Sequence, residues 1–209
     1  CLQAHAGAAP LVLRLTFLLG NLAARSEELR QMVMFECDAI SVLPGLLERY
    51  WRQDRKLAQA EAAASRAIAR LEAADVGADG AAAAQRSSDA QDCESVLVKI
   101  VRLVANATIS PKVGTVLANS AAVVDPLLDI LGCKRMPESE ELVLTASAAV
   151  TNLLFYDSEE NLLFSAENKQ LLCRLLRPML LESYNVEALV EAARALGNLS
   201  RHPDARQWI

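Results

Sequence analysis

ARALGNLS, residues 193–200, and TFLLGNLA, residues 16–23, each carry one asparagine at the same point of an otherwise apolar helical stretch. Two weaker relatives lie between them, RLVANAT at 102–108 and AAVTNLLF at 148–155. The four asparagines are Asn21, Asn106, Asn152 and Asn198, so the steps are 85, 46 and 46 residues. A recurrence of 46 matches one unit of a helical solenoid, about 40–47 residues long. The first step equals one such unit plus 39 residues, which predicts an insertion between Asn21 and Asn106. Residues 52–92, RQDRKLAQAEAAASRAIARLEAADVGADGAAAAQRSSDAQD, are Ala-rich, charged and nearly free of large apolar groups after Leu71. Repeat arithmetic and composition therefore locate the same segment independently.

Positions around each asparagine agree in character. Eleven residues later stand Met32, Leu117, Leu163 and Ile209; eight residues earlier stand Leu13, Val98, Leu144 and Val190. One residue later come Leu22, Ala107, Leu153 and Leu199. This is a repeated core pattern with helical spacing. Each unit reads as two helices followed by a longer third helix that carries the asparagine. The first unit shows only its third helix, 10–24. The third unit is expected at about 113–120, 122–132 and 139–155, with Pro111, Pro126 and Pro137 at or near helix starts, where a missing N–H is tolerated. The fourth is expected at about 159–166, 168–182 and 186–200, with Pro178 bending its middle helix. DARQWI, residues 204–209, reads as the first helix of a further unit, and the opening Cys1 suggests a piece of a longer chain. The whole is then one solenoid over 1–209. The 52–92 insertion falls between the second and third helices of the second unit. Within it, 53–74 is a strong helix former with Leu57, Ile68 and Leu71 as sparse contacts, and 76–92 has the composition of a loop. It is read either as a solvated excursion or as a docking element for a partner.

Composition agrees with an all-α core. Of 209 residues, 53% are hydrophobic and only 4% aromatic, which favours a core of Leu, Ala and Val over one built on aromatic strand formers. The net charge of −5 gives no support for a nucleic-acid surface. No apolar run reaches the roughly 20 residues that span a bilayer. Five scattered cysteines without a C-x-x-C pair argue against a disulfide scaffold or a zinc site and point to a reducing compartment. Cys37 and Cys173 are expected to be buried apolar residues. His5 and His202 stand far apart, and no Gly-rich phosphate loop, nucleophile elbow or metal-ligand spacing is present. Neither an enzyme nor a cofactor, metal or small-molecule substrate is expected. PESEE, 137–141, reads as the acidic first turn of a helix.

If the third helices line a concave face, residues four and seven before each asparagine complete its stripe. The sets are Arg14, Phe17 and Asn21; Lys99, Arg102 and Asn106; Thr145, Ala148 and Asn152; Glu191, Arg194 and Asn198. An amide donates to one backbone carbonyl and accepts from one N–H. A ladder of amides would hold an extended segment by its main chain. Candidate partner-binding residues are therefore Arg14, Phe17, Asn21, Lys99, Arg102, Asn106, Asn152, Arg194 and Asn198. The stripe carries four positive charges and one negative, which favours an acidic partner. The alternative is that each amide bonds the adjacent unit and fixes stacking register. NAT at Asn106 and NLS at Asn198 match the glycosylation sequon but fall inside packed helices, so they are discounted.

The LGNL, VANAT and VTNLL helices with their 46-residue step resemble armadillo repeats. That resemblance implies a right-handed superhelical solenoid of three-helix repeats. Importin-type members carry a tryptophan four residues before the asparagine. Phe17, Arg102, Ala148 and Arg194 stand there instead, which makes an importin-like peptide receptor the outlying reading. Longer stretches, LRLTFLLGNLAARSEELRQ, ESVLVKIVRLVANATISPKVGTVLA, SEELVLTASAAVTNLLFY and EAARALGNLSRHPDARQWI, resemble an armadillo-repeat family of motile cilia. The resemblance implies a non-catalytic adaptor in the cytoplasm and the ciliary axoneme. Such an adaptor would bind radial-spoke subunits and link them to intraflagellar transport, without nucleic-acid or membrane partners. A permanent structural axonemal subunit is the alternative.

Overall fold

The computed structural model describes residues 2–74 and 87–209. Nine helices and three shorter turns follow one another among them, with no strand. Helix α1 spans Ala9–Ala23, and α2, Glu27–Gln31, runs into one π-helical turn, Met32–Glu36. Helix α3 spans Ala39–Ala74 and α4 Ser88–Ala107. Then come α5 (Pro111–Ala118), α6 (Ala121–Cys133) and α7 (Met136–Leu153). A 3-10 turn at Leu162–Phe164, α8 (Ala166–Leu181), α9 (Val186–Leu199) and a 3-10 turn at Ala205–Gln207 complete the order. The asparagine helices α1, α4, α7 and α9 stack in sequence, each packed on the next. The chain is an all-α solenoid.

Its core is the set of faces that these units turn towards one another. Leu97, Ile100, Leu103, Leu117, Leu127, Ile130 and Leu142 are fully buried. Of the positions after the repeated asparagines, Ala107, Leu153 and Leu199 are at 0% exposure, while Leu22 in the first unit is half-buried. Helix α1 faces α4 with Val12, Thr16, Gly20 and Ala23, a stripe at helical spacing. Thr16 satisfies its own hydroxyl by donating to the Val12 carbonyl at 2.7 Å. A Cβ on Gly20 would lie 3.8 Å from the Leu103 Cα, so the two backbones approach closely there.

Differences from the sequence expectations have local causes. Pro126 lies inside α6, since Ser120 starts that helix one turn earlier by accepting from Val123 and Val124 at 2.9 Å. Ala122 is exposed, so the carbonyl that lacks a Pro126 N–H faces water. Met136–Leu153 begins before the expected residue 139, yet Ser139 is non-helical (φ −144°, ψ 45°) and donates instead to Glu94 at 2.8 Å. Pro178 falls in the last turn of α8, which runs on to Leu181. The helix expected at 159–166 contracts to one 3-10 turn because buried Asn161 occupies the corner. Its amide donates to the Leu153 and Tyr156 carbonyls, both at 2.9 Å, and accepts from the Leu163 N–H at 3.0 Å.

The insertion prolongs existing helices. Helix α3 runs unbroken through residue 52, and residues 88–92, expected as loop, form the first turn of α4. The cause is an N-cap: Ser87 accepts from the Ala90 N–H at 3.3 Å, with Asp89 in the first turn. Ser87 also donates from both N–H and hydroxyl to Glu61 at 2.7 Å, which ties the start of α4 to mid-α3. Leu57 packs against the core as expected. The side chains of Ile68 and Leu71 and the loop expected at 76–86 lie outside the described residues. Cys173 is buried, and burial pushes its thiol up. Cys37 is exposed rather than buried, because the π-helical turn commits Val33 and Met34 to the core and turns the next residues outward.

Candidate partner-binding groove

The asparagines first serve the solenoid itself. Asn106 donates from its amide to the Gly20 carbonyl at 3.0 Å, Asn152 to Ala105 at 2.9 Å and Asn198 to Thr151 at 3.1 Å. Each acceptor is the residue just before the preceding repeat's asparagine, so the three bonds are one contact repeated. A second rung lies two residues beyond the asparagine. Tyr156 donates to the Thr108 carbonyl at 2.5 Å, and Arg201 donates to the equivalent Leu154 carbonyl at 2.6 Å. Burial raises the Tyr156 hydroxyl above the ordinary phenol range, which keeps it a donor. Glu27 and Ser110 join successive units at 2.6 Å, and hydrogen bonds from Ser110 and Gln31 hold the Glu27 carboxyl below its ordinary range.

Register therefore rests on side chain to main chain bonds that apolar packing alone would not specify. Replacing Asn152 by Ala is expected to cost about 1–2 kcal/mol in urea unfolding, the loss of one half-buried bond to a carbonyl. Asn21 is exposed and makes no side-chain bond among the described residues, so Asn21→Ala should fall within about 0.5 kcal/mol of the parent. Equal losses at the two positions would refute the ladder.

Above the ladder, α4, α7 and the start of α9 enclose an open groove of about 560 Å³. Leu144, Ala148, Val186 and Val190 give it an apolar floor, while Arg102, Glu140, Glu141, Glu187 and Glu191 ring it. The cations along the stripe have partners. Glu141 receives Lys99 at 3.1 Å and Arg102 at 2.8 Å, and Glu191 receives Arg194 at 2.7 Å. The other Glu191 oxygen, Oε2, is buried without a hydrogen bond. Among the described residues, no cluster of His, Cys, Asp or Glu is placed to hold a metal ion, and no single helix is long and apolar enough to cross a membrane.

Three curated relatives align with almost all of this chain. Armadillo repeat-containing protein 2 of Mus musculus is 31% identical over 199 residues, that of Homo sapiens 32% over 200, and that of Bos taurus 30% over 199. The alignments cover 95% of this chain in each case. The chain is an all-α solenoid similar over almost its whole length to armadillo repeat-containing proteins. It spans about a fifth of the length of those relatives. No family model and no solved structure matches it.

The fold gives the candidate residues different and partly overlapping roles. Arg102 and Asn106 line the groove, with Glu191 opposite them. Asn106, Asn152 and Asn198 are engaged in the ladder, and Lys99, Arg102 and Arg194 in ion pairs. Arg14, Phe17 and Asn21 stand exposed on α1, away from the groove lining. The positive excess read along the stripe does not survive folding, because Glu140, Glu141 and Glu187 project beside it. A signal for two of these was present. Glu141 and Glu187 stand eleven residues before Asn152 and Asn198, three helical turns back on the same face. The amides of the two sequon residues, Asn106 and Asn198, donate to the neighbouring helix, which agrees with discounting them as glycan acceptors.

Proposed function

We propose that this armadillo solenoid is a protein-interaction adaptor of motile cilia, which holds a segment of radial-spoke cargo in its concave face and links that cargo to intraflagellar transport. The groove carries this reading. It is open, elongated across three stacked helices, apolar at its floor and polar at its rim, as a surface that grips a partner segment needs to be. The similarity to armadillo repeat-containing protein 2 over 95% of the chain supports a scaffold of that class. The ciliary setting and the radial-spoke partner rest on the resemblance of the long repeat stretches.

In this reading apolar partner side chains sit over Leu144, Ala148, Val186 and Val190, and Arg102 and Arg194 orient the segment from the rim. Arg14, Phe17, Asn21 and Lys99 extend the same face along α1 and α4. Asn106, Asn152 and Asn198 each retain one amide N–H and the carbonyl oxygen after the rung is made, which leaves main-chain capacity for a ligand. Arg102→Glu with Arg194→Glu is expected to weaken capture of radial-spoke subunits from axonemal extract about tenfold or more, with far-UV helicity unchanged. Unaltered capture by a folded double variant rejects the groove. An adaptor should also travel with transport trains in growing flagella. A fluorescent fusion that is static and periodic in mature axonemes would favour a permanent structural subunit instead.

A further inference from the structure

Helix α3 carries a second charged surface, remote from the groove and absent from the repeat pattern. Along it Arg49, Arg52, Arg55, Lys56, Arg66 and Arg70 are all exposed. At 100° per residue these six cations fall within one face about 120° wide, over an axial length of about 32 Å. The acids of the same stretch are segregated. Asp54 and Glu61 lie on the opposite face, where Asp54 binds Lys134 at 2.7 Å and Glu61 binds Ser87. Among the described residues of α3, only Glu48 shares the basic face, paired with Arg52. Among the described residues, no ion pair engages Arg49, Lys56 or Arg70. Arg55 lies over the Trp51 ring and reaches Asp129 at 3.5 Å, which fixes the stripe to the body of the solenoid.

A chain of net charge −5 that collects six exposed cations on one helix face has concentrated its positive potential there. We propose that this face docks an acidic polypeptide segment, rich in Asp or Glu. The residues between the cations decide the class of partner. Gln59, Ala63 and Ala67 are small or polar and exposed, so the face lets a polypeptide approach closely but, among the described residues, offers no large apolar side chain for insertion into a bilayer. Glu48, Asp125 and Asp129 flank its base in the cleft between α3 and α6, so the stripe suits a chain that can end or turn away there rather than a stiff continuous polyanion such as a nucleic-acid duplex. The proposal is independent of the groove, since no residue is shared between the two surfaces.

The test measures binding of fluorescent polyglutamate of about 20 residues to the full chain by anisotropy, against Arg52→Gln/Lys56→Gln/Arg66→Gln/Arg70→Gln. The parent should bind with an affinity that falls steeply with added salt, and the variant should lose tenfold or more while its helicity and urea midpoint hold. A folded variant that binds polyglutamate like the parent overturns the proposal. So does tighter binding of phosphatidylserine vesicles or of a 20-base-pair DNA duplex than of polyglutamate. If the four substitutions cost helicity, Lys56→Gln/Arg70→Gln replaces them, and a loss of threefold or more is required.

Discussion

Gly114→Ala is expected to destabilise this protein by about 2–4 kcal/mol, although Gly to Ala inside a helix ordinarily gains up to about 1 kcal/mol. Gly114 is buried in α5, a short helix that starts at Pro111. A Cβ placed there would lie 1.9 Å from Cε2 of Tyr156, 2.5 Å from Cζ and 2.7 Å from Cδ2, well inside contact distance. The ring escapes by swinging out. That motion breaks the Tyr156 hydroxyl bond to the Thr108 carbonyl, one of the register rungs, and empties the space against α5. Alternatively α5 shifts off its neighbours and exposes Val113 and Leu117, which are otherwise buried. Equilibrium urea unfolding of Gly114→Ala, Tyr156→Ala and the double variant resolves the effect. The double variant should be more stable than the sum of the two losses predicts, because the clash exists only when both side chains are present. Strict additivity would overturn this account.

Lys134→Met should cost about 2–3 kcal/mol. Lys134 follows α6 and places its ammonium 2.7 Å from Asp54 of α3 and 2.9 Å from Glu94 of α4. Asp54 is 2% exposed and Lys134 11%, so the pairing is largely withdrawn from water. Ser139 donates to the same Glu94 oxygen at 2.8 Å, which draws the start of α7 into the cluster. Methionine keeps the length and apolar stem of lysine while removing the charge that the two carboxylates share. Removing one partner of a buried pair typically costs about 3–5 kcal/mol. Further interactions of Asp54 and Glu94 set the expectation below that range. The cluster sits where α3 leaves the solenoid, so Lys134→Met should also speed amide exchange in α3 around residue 54 more than in α9. A loss under about 1 kcal/mol, or uniform exchange along the chain, would count against it.

Much of the fold was legible because its repeat is periodic in one dimension. The asparagine step located α4, α7 and α9 to within a few residues, and of the apolar positions in phase with it Val98, Ala107, Leu117, Leu153, Leu163 and Leu199 are core, whereas Val190 and Ile209 are exposed. What escaped was local chemistry without periodicity. Ser87 looks like loop composition until its hydroxyl is seen capping α4. Asn161 reads as a polar residue in a helix until its amide is found closing the turn after α7. The basic face of α3 was present in the sequence, but its value depends on knowing that α3 continues as one helix from residue 39, which puts Arg49 and Arg70 in phase.

The groove marks the boundary between the two kinds of information. Which helices stack, and that each asparagine falls on their common face, can be read along the chain, because helical spacing and repeat length are properties of one chain direction. The sequence also held Glu141 and Glu187 on that face. What the asparagines and cations do there is settled by contacts between distant parts of the folded chain. Whether an amide meets a ligand or the carbonyl of the preceding repeat depends on a contact between residues 47 or 86 positions apart. Whether Lys99 and Arg102 present positive charge depends on Glu141, which arrives from the next helix at hydrogen-bonding distance. Coulomb interactions and hydrogen bonds act over a few ångströms of space, and no spacing along a single stripe reports which side chains folding brings that close.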